Sequence, residues 1–346
     1  MLLLLQAIVA CSKGQNPATA PAPVQVENKT TFNNPLLNSG PDPWVIQRNG
    51  FYYYMHTEGN KIVIYKTKTL SQLYKATKKV VYNAPAEGSD SRNIWAPELH
   101  FLNGKWYLYY TAGSSSDLST QRMFVLENES EDPLEGIWKH KGQLKDENAD
   151  FFAIDATVLN KDGSHYVIWS GHISKTDNTQ RLYIARLAEP WKMATSRVEI
   201  SAPTFEWEKI GSPDVNEGPE ILRNKGGHVF LIFSASGCWT DDYSLGMLTL
   251  SENGDPLNAK DWTKTPAPVF TKSPEHGAYG PGHNGFFKSP DGKEDWIIYH
   301  ANPKPGLQCS NERNPRMQAF SWNADGTPNF GVPVKINTPM ANPSGE

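Results

Sequence analysis

The chain has 346 residues, a length that fits either two average domains or one large all-β domain. It carries 33 basic and 37 acidic residues, and its formal net charge of −4 excludes a protein held on nucleic acid by a basic face. Aromatic residues make up 11% of the chain, too many for a largely disordered protein. The 27 glycines and 26 prolines favour many strands and turns over long helices.

Residues 1–11 have the pattern of a targeting segment. The apolar run MLLLLQAIVA is too short to span a bilayer, and Ile8 to Cys11 resemble the lipobox of a bacterial lipoprotein signal. No Lys or Arg precedes the run, although a signal peptide has a positive start, so a soluble chain with an apolar end is the alternative. With a signal, Cys11 would carry a lipid anchor as the sole membrane attachment. The protein would then be exported, either to the periplasm or as an outer-membrane lipoprotein.

Residues 12–31 mix Ala, Pro and Thr and are predicted to form a flexible tether. Beyond it, Cys238 and Cys309 are the remaining cysteines. In an oxidising compartment these two residues could form a disulfide, and two unpaired, half-buried thiols are the alternative.

Five segments of the chain share one layout. Each starts with an ionisable residue, continues as a short apolar strand, turns at a glycine and returns as a strand rich in aromatic and β-branched residues. The turn glycines recur every 54 to 65 residues, which leaves room for about four strands per unit. The first residues of the five segments are Asp42, Glu98, Asp155, Glu217 and His283.

This repeat predicts an all-β fold, a five-bladed β-propeller over residues 32–338, followed by a C-terminal tail at 339–346. A pair of β-sandwiches is the alternative, and it explains the fivefold recurrence less well. In a propeller, equivalent residues of the innermost strands converge at one end of the central channel. Each of the five ionisable residues has an ordinary structural explanation by itself. Together, four carboxylates and a histidine at a channel mouth indicate metal binding or acid–base catalysis.

Four of the motifs resemble those of glycoside hydrolase family 43, a family of five-bladed propellers that invert the anomeric configuration. They are Ser39 to Pro43, Ile154 to Thr157, Asn216 to Glu220, and Gly280 to Asn284. The third motif has Asp-Ala where many members have Asp-Pro. The resemblance implies that Asp42 is the general base, that Glu217 is the general acid, and that Asp155 orients the acid and raises its pKa. Inversion requires the two carboxyl groups to lie about 6.5–9.5 Å apart, with room for a water molecule.

The resemblance also implies roles for other residues. Arg316 would contact the sugar in the innermost subsite, with a salt bridge between blades as the alternative. His283 would lie near the channel centre, beside a calcium ion held through water, with a structural or electrostatic role. No organic cofactor is required. Three tryptophans near the motifs are candidates for stacking on sugar rings, or else core residues: Trp95, Trp169 and Trp239.

The expected substrate is an arabinose-containing polysaccharide or oligosaccharide, and the expected oligomeric state is a monomer. Residues 93–101, 234–242 and 317–322 look most like the single-domain exo-acting α-L-arabinofuranosidases of the family, which act on plant arabinan or arabinoxylan. A β-xylosidase or a β-galactofuranosidase with the same carboxylates is the alternative, and the absence of a second β-sandwich domain argues against the xylosidase. A catalytically silent sugar-binding propeller is a third hypothesis, although all three carboxylates are present.

Overall fold

The computed structural model describes residues 30–346. The predicted targeting segment with Cys11, and residues 12–29 of the predicted tether, lie outside this range. Within the described range, no helix is both long enough and apolar enough to cross a lipid bilayer. The helices there are short 3-10 turns: Leu70–Lys75, Leu118–Thr120, Glu206–Glu208, Ala259–Asp261 and Pro274–His276.

Five antiparallel sheets follow one another along the chain, and they form the blades of a propeller. The first blade contains β2 (Trp44–Arg48), β3 (Phe51–Met55), β4 (Lys61–Thr67) and β5 (Thr77–Asn83). The second contains β6 (Arg92–Leu102), β7 (Lys105–Gly113), β8 (Arg122–Asn128) and β9 (Lys139–Leu144). The third contains β10 (Ala153–Lys161), β11 (Ser164–Gly171), β12 (Arg181–Glu189), β13 (Lys192–Met193) and β14 (Val198–Ser201).

The fourth blade contains β15 (Asn216–Arg223), β16 (Val229–Ala235), β17 (Ser244–Leu250) and β18 (Trp262–Lys264). The fifth contains β19 (Tyr279–Lys288), β20 (Asp295–Asn302), β21 (Asn314–Trp322) and β22 (Pro328–Asn329). The strands of a blade pair in chain order, except that β13 and β14 both pair with β12. The first strands of the blades contact one another in the circular order β2, β6, β10, β15, β19 and back to β2. This closed ring confirms the predicted all-β, five-bladed propeller.

The repeated turns and the aromatic strands explain why the chain folds this way. Asn49 and Gly50 both have positive φ, 51° and 74°, as the tight turn between two twisted antiparallel strands requires. The large side chains of the second strands fill the space between neighbouring blades. Trp106, for example, is fully buried in the core shared by blades one and two. The hydrophobic core therefore consists of layers between blades, and polar groups can line the central channel.

The two ends of the described chain close the ring. Strand β1 (Thr31–Phe32) pairs with β23 (Met340–Ala341), so Thr31 belongs to the fold and not to the tether. The predicted tail at 339–346 is also structured, because it includes β23. In addition, the Glu346 carboxylate accepts hydrogen bonds from the backbone of Leu70 and Ser71. The sequence did not indicate β1 or β23, because two-residue strands leave no periodic pattern.

Replacing Asn34 with alanine should loosen this closure. The Asn34 side chain is fully buried, donates to the Met317 carbonyl at 2.8 Å and accepts from the Met317 amide at 2.9 Å. The variant leaves both backbone groups buried without partners, so we expect the free energy of unfolding to fall by about 2–4 kcal/mol. Urea denaturation measures the change. Asn311→Ala, at an exposed site, should change the stability by less than about 0.5 kcal/mol, and an equal loss in both variants would contradict the assignment.

Candidate active site

At one equivalent point, the backbone of each innermost strand is left-handed, and β6 and β19 have a second such residue, at Asn93 and Gly280. In β6, β10, β15 and β19 the point coincides with a shift in strand register, and in the first blade it comes just before β2. Few non-glycine residues adopt such a conformation, so its recurrence marks equivalent positions. These residues are Asp42 (φ 57°), Ala96 (40°), Asp155 (58°), Gly218 (53°) and His283 (45°).

This geometry corrects the alignment of the repeats. The sequence placed Glu98 and Glu217 in register with Asp42, Asp155 and His283. In the structure Ala96 and Gly218 hold those positions, so that Glu217 comes one residue early and Glu98 two residues late. Asp42, Asp155 and Glu217 still lie close enough for their charges to act on one another. The predicted catalytic carboxylates therefore share one site.

A side chain near the end of a second strand holds the left-handed backbone of the next blade in four of the five junctions. It accepts the amide proton of the left-handed residue, which has no partner in the strand ladder. The four acceptors are Thr57 Oγ1 for Ala96 (2.8 Å), Thr111 Oγ1 for Asp155 (3.1 Å), Ser234 Oγ for His283 (2.8 Å) and His300 Nδ1 for Asp42 (3.0 Å). These contacts fix the catalytic backbone to the neighbouring blade.

The fifth junction differs, and it is the one beside Glu217. Ser170 donates its hydroxyl proton to the Asn216 carbonyl at 2.9 Å, and the amide of Gly218 donates instead to Asp155 Oδ2 at 3.0 Å. The Asp155 carboxylate thus replaces the usual hydroxyl. It fixes the backbone next to Glu217, which is the geometry expected of a residue that orients the acid.

Asp42 is buried among groups that stabilise its negative charge. Burial by itself would raise the pKa of this carboxyl. The opposing interactions are stronger: Arg313 Nη1 donates to Oδ1 at 2.9 Å, and Thr57 donates to Oδ2 at 2.7 Å. Nδ1 of His283 and Nδ1 of His300 also lie 3.5 Å from Oδ1. The charge of Arg313, the strongest of the opposing interactions, and the Thr57 hydrogen bond hold the pKa of Asp42 well below its usual range. Asp42 is therefore ionised at any physiological pH.

The two histidines beside Asp42 are neutral. Burial lowers the pKa of both His283 and His300. Since Nδ1 of His300 accepts the Asp42 amide proton, its ring proton must sit on Nε2. The His300 ring stacks on Tyr243, with centroids 5.8 Å apart and an interplanar angle of 4°. The arginine, and not a histidinium, therefore supplies the positive charge next to the base.

Glu217 is partly exposed, and its pKa is shifted in the direction opposite to that of Asp42. Its low-dielectric surroundings raise the pKa to about 7, and the charge of Asp42 acts in the same direction, against a hydrogen bond from Tyr243 and the charge of Arg313. The Tyr243 hydroxyl donates to Glu217 Oε1 at 2.8 Å. Burial and the charge of Glu217 also raise the pKa of Asp155 well above its usual value. The Asp155–Glu217 pair therefore retains a proton at a pH where Asp42 is fully ionised.

Glu98, which the repeat placed at the channel mouth with Asp42 and Asp155, contacts His100 and Glu220 in the structure. Its carboxylate lies 2.8 Å from Nε2 of His100 and also meets the buried carboxyl of Glu220. Burial, the charge of Glu98 and the charge of Asp155 raise the pKa of Glu220 well above its usual value. Glu220 is then neutral and can donate its proton to Glu98. This second acidic pair lies close enough to Asp155 for their charges to act on one another.

Arg313, and not Arg316, is the arginine in contact with Asp42. Arg316 is fully buried, donates from Nε to Asn314 and from Nη2 to the Gly277 carbonyl, and forms no salt bridge within residues 30–346. The alternative that Arg316 bridges two blades through a salt bridge therefore does not hold. Its contact with a sugar stays a prediction.

The three tryptophans have different surroundings. Trp169 is 2% exposed and packs against Tyr183 in the core between blades two and three, so it is a core residue and unavailable to stack on a sugar. Trp95 and Trp239 are partly exposed. Trp95 directly precedes Ala96. The amide of Ala96 donates to Thr57, which itself donates to Asp42. Trp239 follows Cys238, which forms a disulfide with Cys309. Both remain candidates for sugar contacts.

His283, the residue predicted to lie beside a calcium ion, is close to the carboxylates of Asp42 and Glu98, and carboxylate oxygens are ligands that calcium prefers. Across residues 30–346, no three His, Cys, Asp or Glu side chains are grouped so that they could hold a metal ion directly. Nδ1 of His283 also lies 3.5 Å from Asp42 Oδ1. A calcium ion there would be held through water molecules. Its presence stays a prediction.

Sequence reasoning missed four residues around the carboxylates. Thr57 and His300 could have been found, because each stands at the same place near the end of a second strand as Thr111 and Ser234. Arg313 and Tyr243 lie in connecting loops and have no counterpart in the other repeats. The four residues are Thr57, Tyr243, His300 and Arg313.

A propeller whose channel mouth pairs an ionised carboxylate with a protonated one has the equipment of a glycosidase that works by acid–base catalysis. Comparison with known proteins agrees. Residues 32–328 match the model of the family described as "Glycosyl hydrolases family 43". The chain belongs to glycoside hydrolase family 43.

Curated relatives and solved structures support this assignment. An extracellular exo-α-(1→5)-L-arabinofuranosidase of Streptomyces avermitilis is 43% identical over 92% of this chain, which covers 66% of that relative. The enzyme of the same name from Streptomyces chartreusis is 38% identical, over 78% of this chain and 82% of the relative. The crystal structure of an α-L-arabinofuranosidase from Lactobacillus brevis superimposes with a TM-score of 0.84 at 34% identity, covering 89% of this chain and 98% of that one.

Replacing Glu217 with glutamine should stabilise the protein at alkaline pH. A raised pKa means that the folded state binds a proton which the unfolded chain releases, so this contribution to stability declines as pH rises from the unfolded pKa to about 7. Glutamine removes the buried charge and can still accept the Tyr243 hydrogen bond. We expect Glu217→Gln to gain on the order of 2 kcal/mol over wild type at about pH 8 and little at about pH 5. Denaturant unfolding at both pH values measures this, and an equal effect at both would show that the pKa is not raised.

Proposed function

We propose that this protein is an inverting exo-α-L-arabinofuranosidase that removes terminal arabinofuranosyl residues from plant arabinan or arabinoxylan. The observation that carries the proposal is the opposite protonation of Asp42 and Glu217 in one site. The names of the relatives from two Streptomyces species supply the sugar and the exo action. A β-xylosidase or β-galactofuranosidase would use the same carboxylates and is separated from this proposal by substrate alone.

The chemistry follows from the two protonation states. The Asp42 carboxylate accepts a proton from a water molecule, whose oxygen attacks the anomeric carbon from the face opposite the leaving group. Glu217 donates its proton to the glycosidic oxygen while the carbon–oxygen bond breaks. The products are a free sugar of inverted configuration and a shortened chain with a new hydroxyl group. Asp42 ends protonated and Glu217 ionised, and exchange with solvent restores both.

The supporting residues keep this asymmetry in place. Arg313 and Thr57 fix the Asp42 carboxylate and lower its pKa, so that it is ionised before the substrate arrives. Asp155 holds the backbone beside Glu217, and its proximity favours the protonated form of the pair. Tyr243 directs one oxygen of Glu217, which leaves the other oxygen available for the glycosidic bond.

We also propose that the protein is exported. The Cys238–Cys309 disulfide is suited to an oxidising compartment, and the names of the two Streptomyces relatives describe them as extracellular. A lipid on Cys11 would then keep the enzyme at the membrane surface.

Substrates with different leaving groups separate the roles of the two catalytic carboxyl groups. The Glu217→Ala variant should lose on the order of 10³-fold in kcat on arabino-oligosaccharides and much less on 4-nitrophenyl α-L-arabinofuranoside, whose leaving group needs little protonation. Asp42→Asn should lose activity on both substrates to a similar extent. Sugar release, with proton NMR of the first-formed anomer, measures both the roles and inversion. Release of xylose or galactose instead would keep the mechanism and reject the sugar, and near-normal activity of Glu217→Ala would reject the acid.

The pH dependence of kcat/KM should be strongly asymmetric. Activity requires ionised Asp42 and protonated Glu217, so it should decline as pH rises through about 7, and its acidic limb should lie below the ordinary range of an aspartate. Arg313→Gln removes the charge beside Asp42 and should raise the acidic limb by roughly 1–3 pH units. Steady-state rates over a buffer series measure both limbs. An acidic limb unchanged in Arg313→Gln would contradict the role of this arginine.

A further inference from the structure

The disulfide joins the fourth and fifth blades. Cys238 lies in the loop between β16 and β17 of the fourth blade, and Cys309 lies in the loop between β20 and β21 of the fifth. Their Cα atoms are 5.3 Å apart, although the residues are 71 positions apart in sequence. Cys309 is exposed and Cys238 partly exposed, so the bond contributes little to the apolar core.

The loop that contains Cys309 also holds the arginine that contacts Asp42. The Arg313 guanidinium donates from Nη1 to Asp42 Oδ1 at 2.9 Å, from Nε to the Ser310 carbonyl at 3.0 Å and from Nη2 to the Cys309 carbonyl at 3.3 Å. Two of its three donors therefore rest on consecutive carbonyls at the disulfide. The orientation of the guanidinium depends on where that short stretch of backbone lies.

Few other contacts fix this stretch. Residues 304–306 and 308–309 are exposed, as are 311 and 312. Before Cys309, the loop is tied to the body of the protein by Gly306, whose amide donates to Asp241 Oδ1 at 2.8 Å, and by Asn302, which donates to the Gln308 carbonyl at 2.9 Å. After it, the Arg313 carbonyl accepts from the Gly40 amide at 3.0 Å. At the two carbonyls themselves, the disulfide is the covalent link to the rigid fourth blade.

We propose that the Cys238–Cys309 disulfide is a positioning element for the general base, acting through the carbonyls of Cys309 and Ser310 and the guanidinium of Arg313. The kinetic form of this proposal rests on the proposed function. When the cross-link is absent, the loop samples positions in which the guanidinium loses its two carbonyl acceptors. Arg313 then spends time away from Asp42, so that the carboxylate is less well placed and its charge less well stabilised.

The test compares the wild-type protein with Cys238→Ser/Cys309→Ser. We expect kcat to fall by about 10-fold in the double variant, because small displacements of a catalytic group cost rate steeply. The acidic limb of the pH–rate profile should also move to higher pH. Leu250→Ala is the control, since this buried residue lies at the end of β17 remote from Tyr243, and its replacement lowers stability by leaving a cavity. It should leave both the rate and the limb unchanged at temperatures where all variants are folded.

A second variant tests the route of the effect. In an Arg313→Gln background, removing the disulfide should have no further effect on the acidic limb, since both changes act through the same contact. If the two changes shift the acidic limb additively, the proposal is overturned. It is also overturned if Cys238→Ser/Cys309→Ser lowers the thermal stability but keeps the wild-type rate and pH–rate profile. The latter result would make the disulfide purely stabilising.

A direct titration separates this proposal from the proposed function. Carbon-13 NMR of labelled aspartate carboxyl groups, with Asp42→Asn to assign the signal, gives the pKa of Asp42 with and without the disulfide. If wild-type protein releases no sugar from any substrate, the proposed function fails, and the titration still decides the positioning claim. A raised pKa in the double serine variant supports it, and an unchanged pKa overturns it.

Discussion

The ion pair between Arg313 and Asp42 is the interaction on which the site depends. Burial alone would raise the pKa of Asp42, and the Arg313 guanidinium at 2.9 Å is the strongest of the interactions that oppose it. With burial alone, the site would hold three buried carboxyl groups competing for protons. With the arginine in place, one carboxylate is committed to ionisation, and its negative charge helps to keep a proton on the opposite pair. The contact between Arg313 and Asp42 thus contributes to both parts of the proposed acid–base mechanism, the ionised base and the protonated acid.

The propeller makes this possible by bringing together residues that are remote in sequence. Asp42 precedes the first blade, Glu217 lies in the fourth, and Arg313 lies in a loop of the fifth. Because the innermost strands form a closed ring, each left-handed residue can be held by the blade before it, and His300 of the fifth blade holds Asp42 of the first. The contact between the fifth and first blades that completes the ring therefore also completes the site.

Much of this could be predicted from the sequence, for physical reasons that are specific. Tight turns need glycine, so Gly50 and its counterparts revealed the number of blades. The register of the innermost strands was harder, because the left-handed position is occupied by Asp, Ala, Gly or His. Pro43, Pro97 and Pro219 each follow that position, and alignment on these prolines would have placed Ala96 and Gly218 correctly. Arg313 could not be distinguished from Arg316, since the choice depends on how a long loop folds over the channel.

Neutron diffraction of deuterated crystals at about pH 6 would locate the protons of the site directly. We expect no deuterium on either oxygen of Asp42, and one deuterium within the Asp155–Glu217 pair. A deuterium on Asp42, or its absence from both members of the pair, would show that the carboxyl groups are not set apart in this way and would contradict the proposed assignment of base and acid.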